Sequence, residues 1–144
     1  MANINQTIIV RTDLFKLPDD LGLISAQTAH IHMQHVRKTF IDRMQQDSVQ
    51  GEQIVITDNV FDNNFVEWIK KPYILVKKVP NLEALNHYLN VALDEDLLVS
   101  EWEDTVYIRL SETQKIARKT LVGIAIGPCD NDKIRSVIGD LPLL

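Results

Sequence analysis

Residues 7–33, TIIVRTDLFKLPDDLGLISAQTAHIHM, decide how this chain folds. Thr7, Ile8, Ile9 and Val10 form a short β-branched apolar run, the pattern of a strand covered on both faces. Arg11, Thr12 and Asp13 follow at its carboxyl end. Pro18, Asp19, Asp20 and Gly22 then mark a loop that leads into a helix start. From there to residue 46, Ala26, Ala29, Met33, Val36, Phe40 and Met44 recur at three- and four-residue steps, which predicts one helix with these residues on its buried stripe. Arg11, Thr12 and Asp13 should therefore face Gln27 and His30 at the head of that helix.

Further along, residues 47–64 are polar with a short apolar middle and read as a variable insertion holding at most a short extra strand. Residues 73–79 (YILVKKV) predict a second strand, and 81–93 a helix with Asn81 as its N-cap. Residues 97–102 and 105–110 predict two adjacent strands, the second alternating Val106, Ile108 and Leu110 against Tyr107 and Arg109. A buried strand at 120–126 ends at Gly127 and Pro128, and a final helix at 131–138 closes at Gly139. This order implies an α/β protein of three α/β/α layers around a mixed, mostly parallel sheet, with residues 1–144 as a single domain.

The 144 residues are 45% apolar, enough for one core that removes about two-thirds of the unfolded surface from water. No leader pattern opens the chain, and its apolar runs fall well short of the roughly 20 residues of a membrane span, so no membrane partner and a cytoplasmic setting are expected. Cys129 is the single cysteine, which excludes an intrachain disulfide and a multi-cysteine zinc site. The net charge of -5 disfavours a polyanion partner unless basic residues gather locally. Lys70, Lys71, Lys77 and Lys78 around the second strand, and Lys115, Arg118 and Lys119 before the last, are the candidates for such a patch, with a solvated surface as the alternative.

The residues with chemical potential fall at strand ends and helix starts, where α/β sheets bind ligands. They are VRTDL at 10–14, LISAQTAHI at 23–31, VSEWED at 99–104, TLVGIAIGP at 120–128 and LPLL at 141–144. In this order and spacing the chain resembles the archaeal- and eukaryotic-type peptidyl-tRNA hydrolase family. That family is similar in a strand ending R-T-D-L, a helix K-x-x-A-Q-x-x-H-A, a segment V-S-x-x-x-D-A-G-x-T-Q, a run T-V-L-G-I-G-P and a closing L-K-L-L.

The resemblance implies hydrolysis of the ester joining a peptide to the 3′ ribose of tRNA by a homodimer that needs no metal or organic cofactor. Such a reaction requires an oriented water and a donor or cation for the developing oxyanion. By resemblance, Asp104, Gln27, His30 and Asp13 are the candidate catalytic groups, with Asp104 as water-orienting base. Arg11, Thr12, Lys16, Gly127 and Pro128 are the candidate substrate-binding residues. Two family positions are replaced: the helix lysine falls on Leu23 and the threonine on Ile108. Lys16, in a loop about three residues longer than the family's, is the candidate substitute cation. The alternatives are a non-catalytic binding or regulatory protein on the same fold, and a hydrolase of another small ester or amide.

Each candidate also has a plain structural reading. Asp13 would cap the turn after its strand. Asp104, with Glu101 and Glu103, forms either a cluster that tunes a general base or a charged strand end. His32 and His35 share a helix face without a third ligand at metal spacing, which predicts solvated or interfacial rings. Cys129 is expected to be buried, and Trp68 and Trp102 to be core or interface aromatics.

Overall fold

The computed structural model describes residues 4–44, 49–50, 53–54 and 63–144. The elements in chain order are β1 (Ile4–Arg11), α1 (Leu21–Met44), β2 (Val49–Gln50), β3 (Gln53–Ile54), α2 (Asn63–Lys70), β4 (Ile74–Val79), α3 (Leu82–Asp94), β5 (Val99–Arg109), β6 (Lys115–Asp130) and α4 (Asn131–Ile138). Most of the insertion expected at 47–64 lies outside the described residues; within it, β2 and β3 pair with each other.

Four strands form the main sheet in the order β4-β1-β6-β5. β1 and β4 run parallel, from Gln6 opposite Ile74 to Arg11 opposite Val79. β6 is antiparallel to both of its neighbours. The sheet is mixed, as expected, but antiparallel pairings outnumber the parallel one. The cause is the connection at residues 110–114, where the Leu110 amide donates to the Gln114 carbonyl at 2.9 Å. So tight a turn joins only antiparallel strands.

Two expected strands, 97–102 and 105–110, are one. β5 runs unbroken from Val99 to Arg109, and the irregularity falls in its pairing with β6 between Trp102 and Glu103. Its outer half pairs Thr105 with Lys119 through to Arg109 with Lys115, and the facing stretch of β6 is exposed. The outer halves of β5 and β6 thus project beyond the core as a two-stranded arm.

Helices cover both faces of the sheet. On one side Leu85, Leu89 and Ala92 of α3 and Ile134, Val137 and Ile138 of α4 pack on Ile9, Val79, Val99, Leu121, Ile124 and Ile126. On the other, Ile24 and Ile31 of α1 pack on Ile8, Val10 and Ala125. Alternation along β1 sends Ile8 and Val10 to one core and Ile9 to the other. Helix α3 starts as expected, the Asn81 side chain accepting from the Ala84 amide, and α4 starts at Asp130, which accepts from the Asp132 amide. The tail returns along β4, with Lys78 and Leu144 amides donating to the carbonyls of Pro142 and Val76, and so covers that sheet edge.

The buried side of α1 differs from expectation. Ala26, Ala29 and Met33 are exposed, and the face against the sheet carries Ile24, Ile31, His35 and Thr39. Polar groups occupy the inner face because the sheet offers them partners. His35 Nδ1 is 2.6 Å from Ser100 Oγ, and His35 Nε2 meets the Gly127 carbonyl. A carbonyl only accepts, so Nε2 carries the proton, and Nδ1 accepts from the Ser100 hydroxyl. His35 is thus a neutral, buried bridge from α1 to β5 and β6. Close approach completes the contact: a Cβ on Gly123 would collide with Ile31 Cδ1 and lie 2.7 Å from the Ile9 carbonyl oxygen.

Candidate active site

β5 alternation sets the site. Ser100, Trp102 and Asp104 share the face beneath α1, and each meets a polar group of that helix. Ser100 takes His35. Trp102 Nε1 donates to Gln27 Oε1 at 2.8 Å, and Gln27 Nε2 donates to Asp104 Oδ2 at 2.8 Å. These two bonds fix which end of the Gln27 amide points where. Asp104 Oδ1 accepts from the Thr105 amide at 2.8 Å, and the His30 ring stacks on Trp102 with centroids 5.3 Å apart. Gln27, His30 and Asp104, distant in sequence, are therefore neighbours through Trp102, a residue that sequence reading left among the structural aromatics. Its two-residue spacing from Asp104 was the available signal.

Gln27 and Thr105 line a cavity of about 670 Å³ between the β1–α1 loop, the head of α1 and the arm. Leu23, Lys16, Tyr107, Arg109 and Lys115 also line it. A second cavity of about 510 Å³ continues past Arg11, Asp13 and Ile108 and shares Lys16, Tyr107 and Arg109 with the first. Leu23 and Ile108, on which the resemblance places the family's lysine and threonine, thus both border this cleft. Arg109 was not expected there, and Lys115 was expected only in a basic patch, because only the pairing of β5 with β6 brings residues 109 and 115 together.

The remaining candidates divide. Arg11 is buried; its Nε and Nη2 donate to Asp13 Oδ1 and Oδ2 at 2.7 Å each, and Nη1 donates to Thr120 Oγ1 and the Leu121 carbonyl. Four of its five N–H donors are committed to protein, so Arg11 chiefly clamps Asp13. Thr12 donates through both amide and hydroxyl to the Val79 carbonyl and borders a separate groove with Lys78 and Pro142. Lys16 is open to solvent at the cleft, with Asp19 as far as 4.0 Å from its Nζ. Gly127 and Pro128 lie elsewhere. β6 is antiparallel to β1, so its carboxyl end sits beside Asn5, at the opposite end of the sheet from Arg11. There Gly127 has a φ of +97° and its missing Cβ leaves room for the Asn5 carbonyl, both reasons for a glycine.

His32 and His35, expected to be solvated or interfacial, are instead held within the fold. His35 is 1% exposed, and burial, helped by the charge of Lys38 and by His32, pushes its pKa down to about 4 against the raising effect of the Gly127 bond. His32 is half-buried, its Nδ1 donates to Gln6 Oε1 at 2.7 Å, and burial lowers its pKa. Cys129 and Trp68 are buried. Glu101 and Glu103 stand on the sheet face away from Asp104, and Glu103 is 4.0 Å from Lys119. Among the described residues no group of three or more His, Cys, Asp or Glu side chains could hold a metal ion, and no helix is long and apolar enough to cross a membrane.

Over residues 4–144 the chain matches the family described as peptidyl-tRNA hydrolase PTH2. A search of curated proteins finds no match. The match covers nearly the whole chain, and the chain belongs to this peptidyl-tRNA hydrolase family.

Proposed function

We propose that this peptidyl-tRNA hydrolase family member hydrolyses the ester between a peptide and the 3′ ribose of tRNA, in the cleft headed by Gln27, at a rate limited by the loss of the helix cation. The observation that carries the reading is the Trp102–Gln27–Asp104 chain of hydrogen bonds, which ties Asp104 to Gln27, the member of the chain that lines the cleft. A Gln side chain has two N–H donors. One is spent on Asp104, and its neighbour is held by the same two bonds near the cleft, where it would meet the oxyanion of a tetrahedral intermediate. Each Asp104 oxygen accepts one protein hydrogen bond and keeps capacity for a second, enough to orient a water and take its proton. Asp13, held by Arg11, supports the loop beside it.

With Leu23 at the position of the family lysine, the oxyanion is met by a neutral donor. Charge-assisted hydrogen bonds are roughly twice as strong as neutral ones, so the step should be slower, not abolished. Lys16, open to solvent at the same cleft, is the candidate substitute, although a loop holds it less firmly than a helix. No cofactor enters this scheme. The proposal includes a cytoplasmic setting and a homodimer, for which the exposed Ala26, Ala29 and Met33 face of α1 is the candidate surface.

A second reading, tRNA binding without turnover, is favoured by one observation: both Asp104 oxygens already accept protein hydrogen bonds. Hydrolysis assays on Asp104→Asn and Leu23→Lys separate the two. Under the hydrolase reading Asp104→Asn lowers turnover by about tenfold or more and Leu23→Lys raises it; equal rates for wild type and Asp104→Asn would remove Asp104 from the mechanism.

A further inference from the structure

The arm places an aromatic ring between basic residues on one face. Paired residues of adjacent strands share a face, so Thr105 with Lys119, Tyr107 with Ala117 and Arg109 with Lys115 lie side by side in register. Tyr107 is 76% exposed, and its cross-strand neighbour is only an alanine, so nothing opposite covers the ring. Arg109 and Lys115 stand directly across from one another. Like charges so placed repel, and in a chain with a net charge of -5 acidic partners are plentiful. Even so, neither makes an ion pair with a described residue. Both also border the cleft that Gln27 heads, on the face of β5 that carries Glu103 and not the face of Asp104.

A bare aromatic face beside unpaired cations is how proteins hold unpaired nucleic acid: stacking takes the base, and the charges take the backbone. We propose that the arm is the binding platform for an unpaired RNA end, Tyr107 stacking on a base while Arg109 and Lys115 take the adjoining phosphates. This rests on the reading of the cleft as the place where tRNA presents its 3′ ester, and names the residues that would grip that end. It also gives a physical reason for two like charges to face each other on a solvent-exposed hairpin. Lys70 and Lys71 take no part, because they precede β4 at the other end of the sheet.

The test is titration of a fluorescent unpaired RNA of about 5 nucleotides into wild type and four variants. Tyr107→Ala should weaken binding about 5- to 150-fold, the range for losing one stacked base. Tyr107→Phe, which keeps the ring, should bind as wild type. The Arg109→Ala, Lys115→Ala double variant should flatten the dependence of log affinity on log salt by about 1.4, from two lost phosphate contacts. Lys70→Ala with Lys71→Ala is the control expected to bind unchanged. Thermal unfolding of each variant verifies that the exposed arm has not altered the fold. Wild-type affinity for Tyr107→Ala, or equal weakening in the Lys70, Lys71 control, overturns the platform. The two readings fail separately: peptidyl-tRNA hydrolysis with KM unchanged in the arm variants sinks the platform alone. RNA binding lost in Tyr107→Ala, with no ester released by wild type, upholds the platform and sinks hydrolysis.

Discussion

Lowering the pH should loosen this protein through His35, and the size of the effect follows from its surroundings. The ring is 1% exposed and bridges Ser100 of β5 and Gly127 of β6. Burial holds its pKa at about 4 in the folded chain, against 6.5 as the ordinary value. The folded pKa lies below the unfolded one, so the unfolded chain binds the proton first as pH falls. The stabilisation from a neutral His35 is complete above 6.5 and is lost as pH drops from 6.5 through about 4. At about pH 5, some 1.5 units below the unfolded value, the loss is about 2 kcal/mol. His35→Gln keeps a donor for Gly127 and an acceptor for Ser100 but does not titrate. Urea unfolding of both proteins at about pH 7.5 and about pH 5 isolates the contribution, because His32 and the carboxylates are common to both. Wild type should lose about 2 kcal/mol more than His35→Gln. An equal loss in the two proteins would show that His35 does not carry the pH dependence.

Other perturbations have similarly local causes. Asp13→Ala strips the buried Arg11 guanidinium of its bidentate partner and should cost about 1–3 kcal/mol by denaturant unfolding; a change under a few tenths would show that Arg11 finds another acceptor. Gly123→Ala drives a methyl group toward Ile31 and the Ile9 carbonyl, and overpacking of this kind costs about 1–3 kcal/mol, read as a lower urea midpoint. Asn81→Ala removes the acceptor for the Ala84 amide and should cost about 0.5–2 kcal/mol, measured in the same way.

Much of the fold was legible because it is written locally. β1, α3 with its Asn81 cap and α4 closing at Gly139 follow from β-branched runs and cap chemistry, which involve only near neighbours in the chain. What sequence reading missed depends on partners far along it. The inner face of α1 reads as polar until Ser100 and Gly127 are placed against His35, so its apolar periodicity pointed to the outer face instead. Helix α2, whose Trp68 is buried with Nε1 donating to the Tyr73 carbonyl, was hidden beside a polar insertion. The direction of β6 is set by a turn at 110–114, and that direction alone decides that Gly127 and Pro128 lie far from Arg11. In the candidate site, Gln27, His30 and Asp104 were found by motif spacing. Trp102, Tyr107 and Arg109 were not, and Lys115 was named only as part of a basic patch, because strand register, which no motif states, is what gathers them.

The central claim is that a Gln27–Asp104 pair without a helix cation still cleaves the ester. The direct measurement is a time course of peptide release from peptidyl-tRNA by purified wild type at micromolar concentration, with aminoacyl-tRNA in parallel. Wild type should release peptide from peptidyl-tRNA above the buffer rate, and Leu23→Lys should raise that rate further. Release no faster than in buffer would contradict the claim.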